Sequence, residues 1–302
     1  MLEEFSEESI FISITSSDEL HLKRFYSKNK LGPPVLMLHG SIENGRIFYS
    51  KNKKGLAPYL AQNGFDVYVA DLRGRGESRP LVHRGSRYGQ TEAITEDIPA
   101  FINKICQIRG NIPQHWIAHS WGGVLFASYL ARFKEHRDLV HSMVFFGTKR
   151  SISVTHLKKL IMMDLFWGPV ARFLVKCFGY LPIKQLGLSS DNETDRFHKH
   201  ILLWATHPSA WVGPDDKFDY AKAVQKITLP PTLYFAGIAD SYLGHPKDVH
   251  RFLKETGAQN AEYRLLSKAN GNLQDYDHID MLTHPDATRD HFPQILQWLR
   301  AT

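Results

Sequence analysis

Apolar and polar positions alternate through residues 10–26, interrupted by Ser16-Ser-Asp18, which predicts an opening hairpin. The pattern then changes. Short, mostly apolar runs recur at Val35-Leu-Met-Leu38, Asp66 to Ala70, Trp116 to Ala118, Leu139 to Phe146, Thr232 to Ala236 and Glu262 to Leu266. Runs of this length and character read as strands covered on both faces. Between them, apolar residues fall at helical spacing over Gly55 to Gln62, Thr91 to Ile108, Val124 to Phe133, Pro246 to Glu255 and Thr288 to Leu299. Gly64, Gly110 and Gly257 supply stops. Strands alternating with helices predict an α/β fold, a mostly parallel sheet with helices on both faces.

The alternation fails over residues 149–226, where no strand is evident. Leu157, Leu160, Ile161 and Leu165 suggest one helix. Val170, Phe173, Leu174, Cys177 and Phe178 suggest another, and Phe197, Ile201 and Trp204 a third. The segment is read as a helical cap inserted over the strand ends, leaving 1–148 and 227–302 as the core. Its aromatics Phe166, Trp167, Phe173, Phe178, Trp204 and Trp211 are candidates to line an apolar pocket. Lys158, Lys159, Arg172 and Lys176 accompany the apolar face of 157–178, but packing on the protein itself is favoured over membrane contact.

Composition narrows the classes. The 302 residues are 43% hydrophobic and 23% charged, ordinary for a globular chain. The net charge of +6 comes from scattered basic residues, including Lys28 to Lys30 and Lys51 to Lys54, which read as loop ends rather than a nucleic-acid footprint. The acidic start, Met1 to Glu8, lacks the apolar run of a secretory leader, and no uncharged stretch suits a transmembrane helix. Two cysteines, Cys106 and Cys177, are expected to be buried free thiols, and a cytoplasmic location is the expectation. Sixteen histidines show no metal-ligand spacing; His198, His200 and His245 read as surface residues, and neither metal nor cofactor is expected.

The chemistry starts at Ala118-His-Ser-Trp-Gly-Gly123, where a buried strand runs into a helix with Ser120 at the corner. Small residues two before and two after a serine permit a sharp turn that lifts its hydroxyl clear of the sheet. A serine needs a base, and the base an orienting acid. Asp240 follows the strand ending at Gly237, and His278 follows the last strand. The loop Gly147-Thr-Lys-Arg150 holds no competing acid, and Asp248, Asp277 and Asp280 approach from less suitable positions. An acyl-transfer site also needs two donors for an oxyanion. The Trp121 N–H is one; the Ser41 N–H, in His39-Gly40-Ser41, is the choice for the second, with Ile42 as the alternative. His39, Ile42 and His119 are placed beside the substrate, with His39 mainly holding its loop.

These residues, with Asp71-Leu-Arg-Gly-Arg-Gly-Glu-Ser78, resemble the α/β-hydrolase superfamily, closest to its lipase, esterase and serine-aminopeptidase-like branches. The resemblance spans roughly residues 30–300 apart from the cap, and departs from the family in Ala118 where the first elbow glycine is usual. It implies an eight-stranded sheet, a serine nucleophile and an acyl-enzyme resolved by water. In it, Arg73 and Arg75 brace loops near the site, and the glycines of their loop do not cradle a phosphate. Relatives with dehalogenase or epoxide-hydrolase chemistry use an aspartate where Ser120 stands. The expected activity is hydrolysis of small or lipid-like carboxylic esters with an apolar acyl group. Aminopeptidase or amidase activity, for which Asp191, Glu193, Asp195, Asp215 and Asp216 could meet an amine, is the alternative, followed by acyl transfer and non-catalytic binding.

Overall fold

The computed structural model describes residues 4–28, 31–154, 167–207, 209, 211–257 and 259–302. Its strands are β1 (Ser6–Ser13), β2 (Glu19–Tyr26), β3 (Pro34–Leu38), β4 (Asp66–Asp71), β5 (Gln114–His119), β6 (Val140–Phe146), β7 (Tyr180–Leu181), β8 (Glu193–Thr194), β9 (Thr232–Gly237) and β10 (Ala261–Leu266). Eight of them form one sheet in the order β1-β2-β4-β3-β5-β6-β9-β10. The opening hairpin joins it antiparallel, and every pairing from β4 to β10 is parallel.

Strand periodicity sorts the core into two layers. Val35, Met37, Val67 and Val69 face α1 (Leu56–Gln62) and the C-terminal helix, while Leu36, Leu38, Tyr68 and Ala70 face the opposite layer. That layer is built on α3 (Ile98–Arg109) and α4 (Trp121–Arg132), through Phe101, Ile105, Val124 and Leu130. All these side chains are buried, the Val, Leu, Ile, Phe and Met ones each worth roughly 1.5–3 kcal/mol. Helices on both faces of a mostly parallel sheet give the α/β-hydrolase architecture.

Two prolines correct the expected helix boundaries. The run from Thr91 is continuous only in part: α2 (Gln90–Glu92) passes through a wide turn over Ala93–Asp97 before α3, because Pro99 cannot supply an N–H inside a helix. The last helix, expected from Thr288, splits into a turn over Pro285–Thr288 and α10 (Phe292–Ala301), where Pro293 fits the first turn.

Among the described residues between β6 and β9, none joins the large sheet. They form α5 (Ala171–Phe178), the β7–β8 pair, α6 (Asp195–Thr206) and α7 (Tyr220–Val224). The two-residue strands of that pair are too short to leave a sequence period. The expected helix at Leu157 to Leu165, with Phe166, lies outside the described residues. Helices α8 (Pro246–Glu255) and α9 (Asp280–Thr283) complete the fold. No helix of the described residues is long and apolar enough to cross a membrane.

Some burial expectations fail. Cys177 is exposed, since α5 buries only Ala171, and Cys106 is half-buried. His198 and His200 are buried rather than surface residues, because α6 turns them inward; His198 meets the Trp167 ring edge-on at 5.3 Å.

Asp66 ties β2, β4 and α3 together from a fully buried position. It accepts from Arg24 Nε (2.8 Å) and Nη2 (2.9 Å), from Arg109 Nη1 (2.5 Å) and from the Tyr68 hydroxyl (2.9 Å). Asp66→Ala strands two largely buried guanidinium groups, so urea unfolding is expected to show a loss of about 3–5 kcal/mol. An unchanged midpoint would contradict a structural role for the cluster.

Candidate active site

Ser120 stands between β5 and α4 with φ 52° and ψ −121°, a conformation rare for a residue with a side chain. It is held there on both sides. The Ser120 N–H donates to Phe146 O across the sheet at 2.8 Å. Gly122 lies so close beneath β3 that a Cβ there would come within 2.5 Å of the Leu38 carbonyl oxygen and 2.6 Å of the His39 one. Ala118 is tolerated two residues before the serine because it still lies within β5, paired with Leu38 and Phe145.

The structure brings Ser120, His278 and Asp240 together from three strand ends. His278 Nδ1 lies 2.6 Å from Asp240 Oδ2, and Nε2 lies 2.9 Å from Ser120 Oγ. A carboxylate facing Nδ1 assigns the proton there, leaving Nε2 to accept from the serine. Asp240 Oδ1 accepts from the Leu243 N–H (2.9 Å) and more loosely from that of Tyr242 (3.3 Å). Burial raises the Asp240 pKa, but the facing imidazole and the loop amides outweigh it and hold it at about 2. Asp240 therefore stays ionised throughout the neutral pH range.

The loop after β3 touches the elbow: a Cβ on Gly40 would meet Ser120 Cβ at 2.8 Å. Ser41 and Ile42 line the cavity in front of Ser120, and Ile42 has φ 56°. Glu43, Glu193 and the backbone of Asp191 fix this loop. The Gly40 N–H donates to Glu43, the Ser41 hydroxyl to Glu193 (3.3 Å), and Ile42 O accepts from the Asp191 N–H (3.1 Å). Arg75 pairs with Glu193, and Arg73 with Asp97 (2.9 Å) and Glu96 (2.7 Å), so both arginines brace loops.

The cavity measures about 620 Å³ and is lined by Ser120, His278, Trp121 and largely apolar side chains such as Ile42, Ile47, Ile183 and Leu188. His39 and His119, expected beside the substrate, are absent from this wall. His39 is fully buried because both ring nitrogens serve the backbone, one at Gly40 O (2.7 Å) and one accepting from the Leu72 N–H (3.1 Å). His119 is also fully buried, between Glu43 Oε1 (2.6 Å) and the backbone oxygen of His278 (2.8 Å). Both partners accept, so the ring must donate from both nitrogens as an imidazolium. Burial lowers its pKa, but Glu43 raises it above the ordinary value; burial likewise raises Glu43, and His119 brings it below. Of the expected cap aromatics, Trp167 alone reaches the cavity among the described residues. Trp204 and Trp211 are core, and Phe173 and Phe178 face outward.

Sequence reading missed Glu43 and Lys149, both on the cavity wall. Glu43 carried a signal in its place four residues after His39. Lys149 carried one in standing three residues after the end of β6.

A family model described as the alpha/beta hydrolase fold matches residues 33–181. Probable lysophospholipase L2 of Haemophilus influenzae is 29% identical over 105 residues, 34% of each chain. Sterol esterase 2 of Saccharomyces cerevisiae is 28% identical over 96 residues, 30% of this chain and 18% of that one. These matches span 34% or less of the curated relatives' length. A solved monoglyceride lipase variant from Saccharomyces cerevisiae superposes with a TM-score of 0.69 at 17% identity, over 99% of this chain and 96% of that one. The chain has the α/β-hydrolase fold, and its matches include proteins named as a lysophospholipase, a sterol esterase and a monoglyceride lipase.

The Glu43–His119 pair predicts a pH window. The lowered Glu43 pKa contributes stability above the usual value of 4.5, lost as pH falls through the folded value; the raised His119 pKa contributes below 6.5, lost as pH rises through the folded value. The destabilisation caused by Glu43→Gln, about 3 kcal/mol for a buried pair, should therefore peak between about pH 4.5 and 6.5 in urea titrations. A pH-independent difference would contradict the charged pair.

Proposed function

We propose that the protein is a serine hydrolase of carboxylic esters. The observation that carries this reading is the hydrogen-bonded chain from Ser120 through His278 to Asp240, opening onto a mainly apolar cavity. Ser120 Oγ attacks the ester carbonyl while His278 Nε2 takes its proton. The oxyanion is held by the Trp121 and Ser41 N–H groups, and the proton passes from His278 to the departing alcohol. A water deprotonated by His278 then adds to the acyl-serine, and collapse releases the carboxylic acid and returns the proton to Ser120. Asp240 keeps Nδ1 protonated throughout and balances the transient imidazolium. Residues 149–226 act in this reading as a cap, since Trp167, Ile183 and Ile201 wall the acyl site.

Ester rather than peptide substrates are favoured by where the acidic residues sit. Asp191, Glu193, Asp195, Asp215 and Asp216 all pair with cationic side chains, and none lines the cavity. A free amine would find no unengaged carboxylate there among the described residues, because Glu43 is committed to His119.

With 4-nitrophenyl esters, Ser120→Ala should abolish turnover above background, and Asp240→Asn should lower kcat by about 10⁴ through the wrong imidazole tautomer. Retention of ester turnover by folded Ser120→Ala would overturn the proposal.

A further inference from the structure

Lys149, in the wall of the candidate active site, has no salt-bridge partner among the described residues. It is 8% exposed and lines the same cavity as Ser120 and His278. Among the described residues, no carboxylate lies within salt-bridge distance of its ammonium and no hydrogen bond engages it. The next residue shows the contrast: Arg150 is held by Glu255 (3.0 Å) and by Trp204 O (3.0 Å).

The carboxylates that feel the Lys149 charge, Asp240 and Asp248, are both committed elsewhere. Asp240 serves His278 and the loop amides, and Asp248 takes the Ser153 N–H (3.0 Å) and hydroxyl (2.5 Å). A second cation on the cavity wall, Arg46, is only loosely paired, 3.5 Å from Glu77. The cavity's sole lining carboxylate among the described residues, Glu43, already faces His119. Burying an ammonium without a partner is costly, and burial does lower the Lys149 pKa against the opposing pull of Asp240 and Asp248. An anion entering the cavity would repair that deficit, which hydrocarbon cannot do.

Resting on the ester-hydrolase reading, we propose that the substrate is an anionic ester whose carboxylate or phosphate binds the Lys149 ammonium inside the cavity. Lys149 then sets substrate choice, without a part in bond making or breaking.

The test compares wild type with Lys149→Met on two matched pairs of esters. One pair is 4-nitrophenyl hydrogen glutarate and 4-nitrophenyl pentanoate, which differ by a carboxylate on the acyl side. The other is a lysophosphatidic acid and the monoacylglycerol of the same chain, which differ by a phosphate on the alcohol side. In at least one pair, the charged-to-neutral ratio of kcat/KM should fall about fivefold or more in the variant, chiefly through KM. The responding pair identifies the side that bears the anion. A counter-ion role for Asp240 alone would slow both members alike, and a ratio changing by less than that in both pairs overturns the proposal. Neutral-ester turnover would then leave the hydrolase reading intact; no turnover of any ester, with Ser120 inert to a fluorophosphonate, would remove both. Should Lys149→Met fail to fold, the wild-type ratio decides: preference for the charged ester in one pair supports the proposal, and preference for the neutral ester in both overturns it.

Discussion

The site depends on a backbone conformation that the chain would not adopt alone. Ser120 with φ 52° costs about 1–3 kcal/mol, and the surrounding sheet must supply it. The cost is met because β5 is paired on both sides, by β3 and β6, and because Gly122 lets α4 begin directly beneath the β3 backbone. The same turn presents the Ser120 hydroxyl to His278 and starts α4 with Trp121 at the cavity wall. A serine on an unstrained strand or helix would offer one or the other.

From this fixed point the remaining parts are arranged by charge. Glu43 anchors the Gly40 amide and His119 together, and His119 donates to the backbone of His278. His278 is therefore held by Asp240 at its ring and by His119 at its backbone. Asp191 and Glu193, beside and within β8, hold the loop after β3, and Arg75 ties Glu193 back to the core. Acidic residues that could have met a substrate instead couple the segment after β6 to the loop facing Ser120. Lys149 stands outside this network, which is why the structure singles it out.

The sheet was legible because the buried strands are short apolar runs with turn residues at their ends, and the order serine, aspartate, histidine at three of those ends identified the groups now within hydrogen-bonding reach. Helix boundaries were less legible. Pro99 and Pro293 permit helix on one side only, and apolar spacing alone does not register them. The roles of His39 and His119 were illegible for another reason: they stand beside Gly40 and Ser120 in sequence, yet their ring nitrogens turn to backbone and to Glu43, contacts that only the folded loops create. Lys149 and Glu43 escaped notice because a lysine or glutamate in a polar loop looks solvated until its burial is known.

The central claim is that Ser120 becomes acylated, and intact-mass and peptide mass spectrometry during turnover tests it most directly. Rapid acid quenching of the protein mixed with a slowly hydrolysed 4-nitrophenyl ester should reveal one added acyl mass, on the peptide containing Ser120. Steady ester turnover with no adduct, or with the acyl group on another residue, would contradict the account.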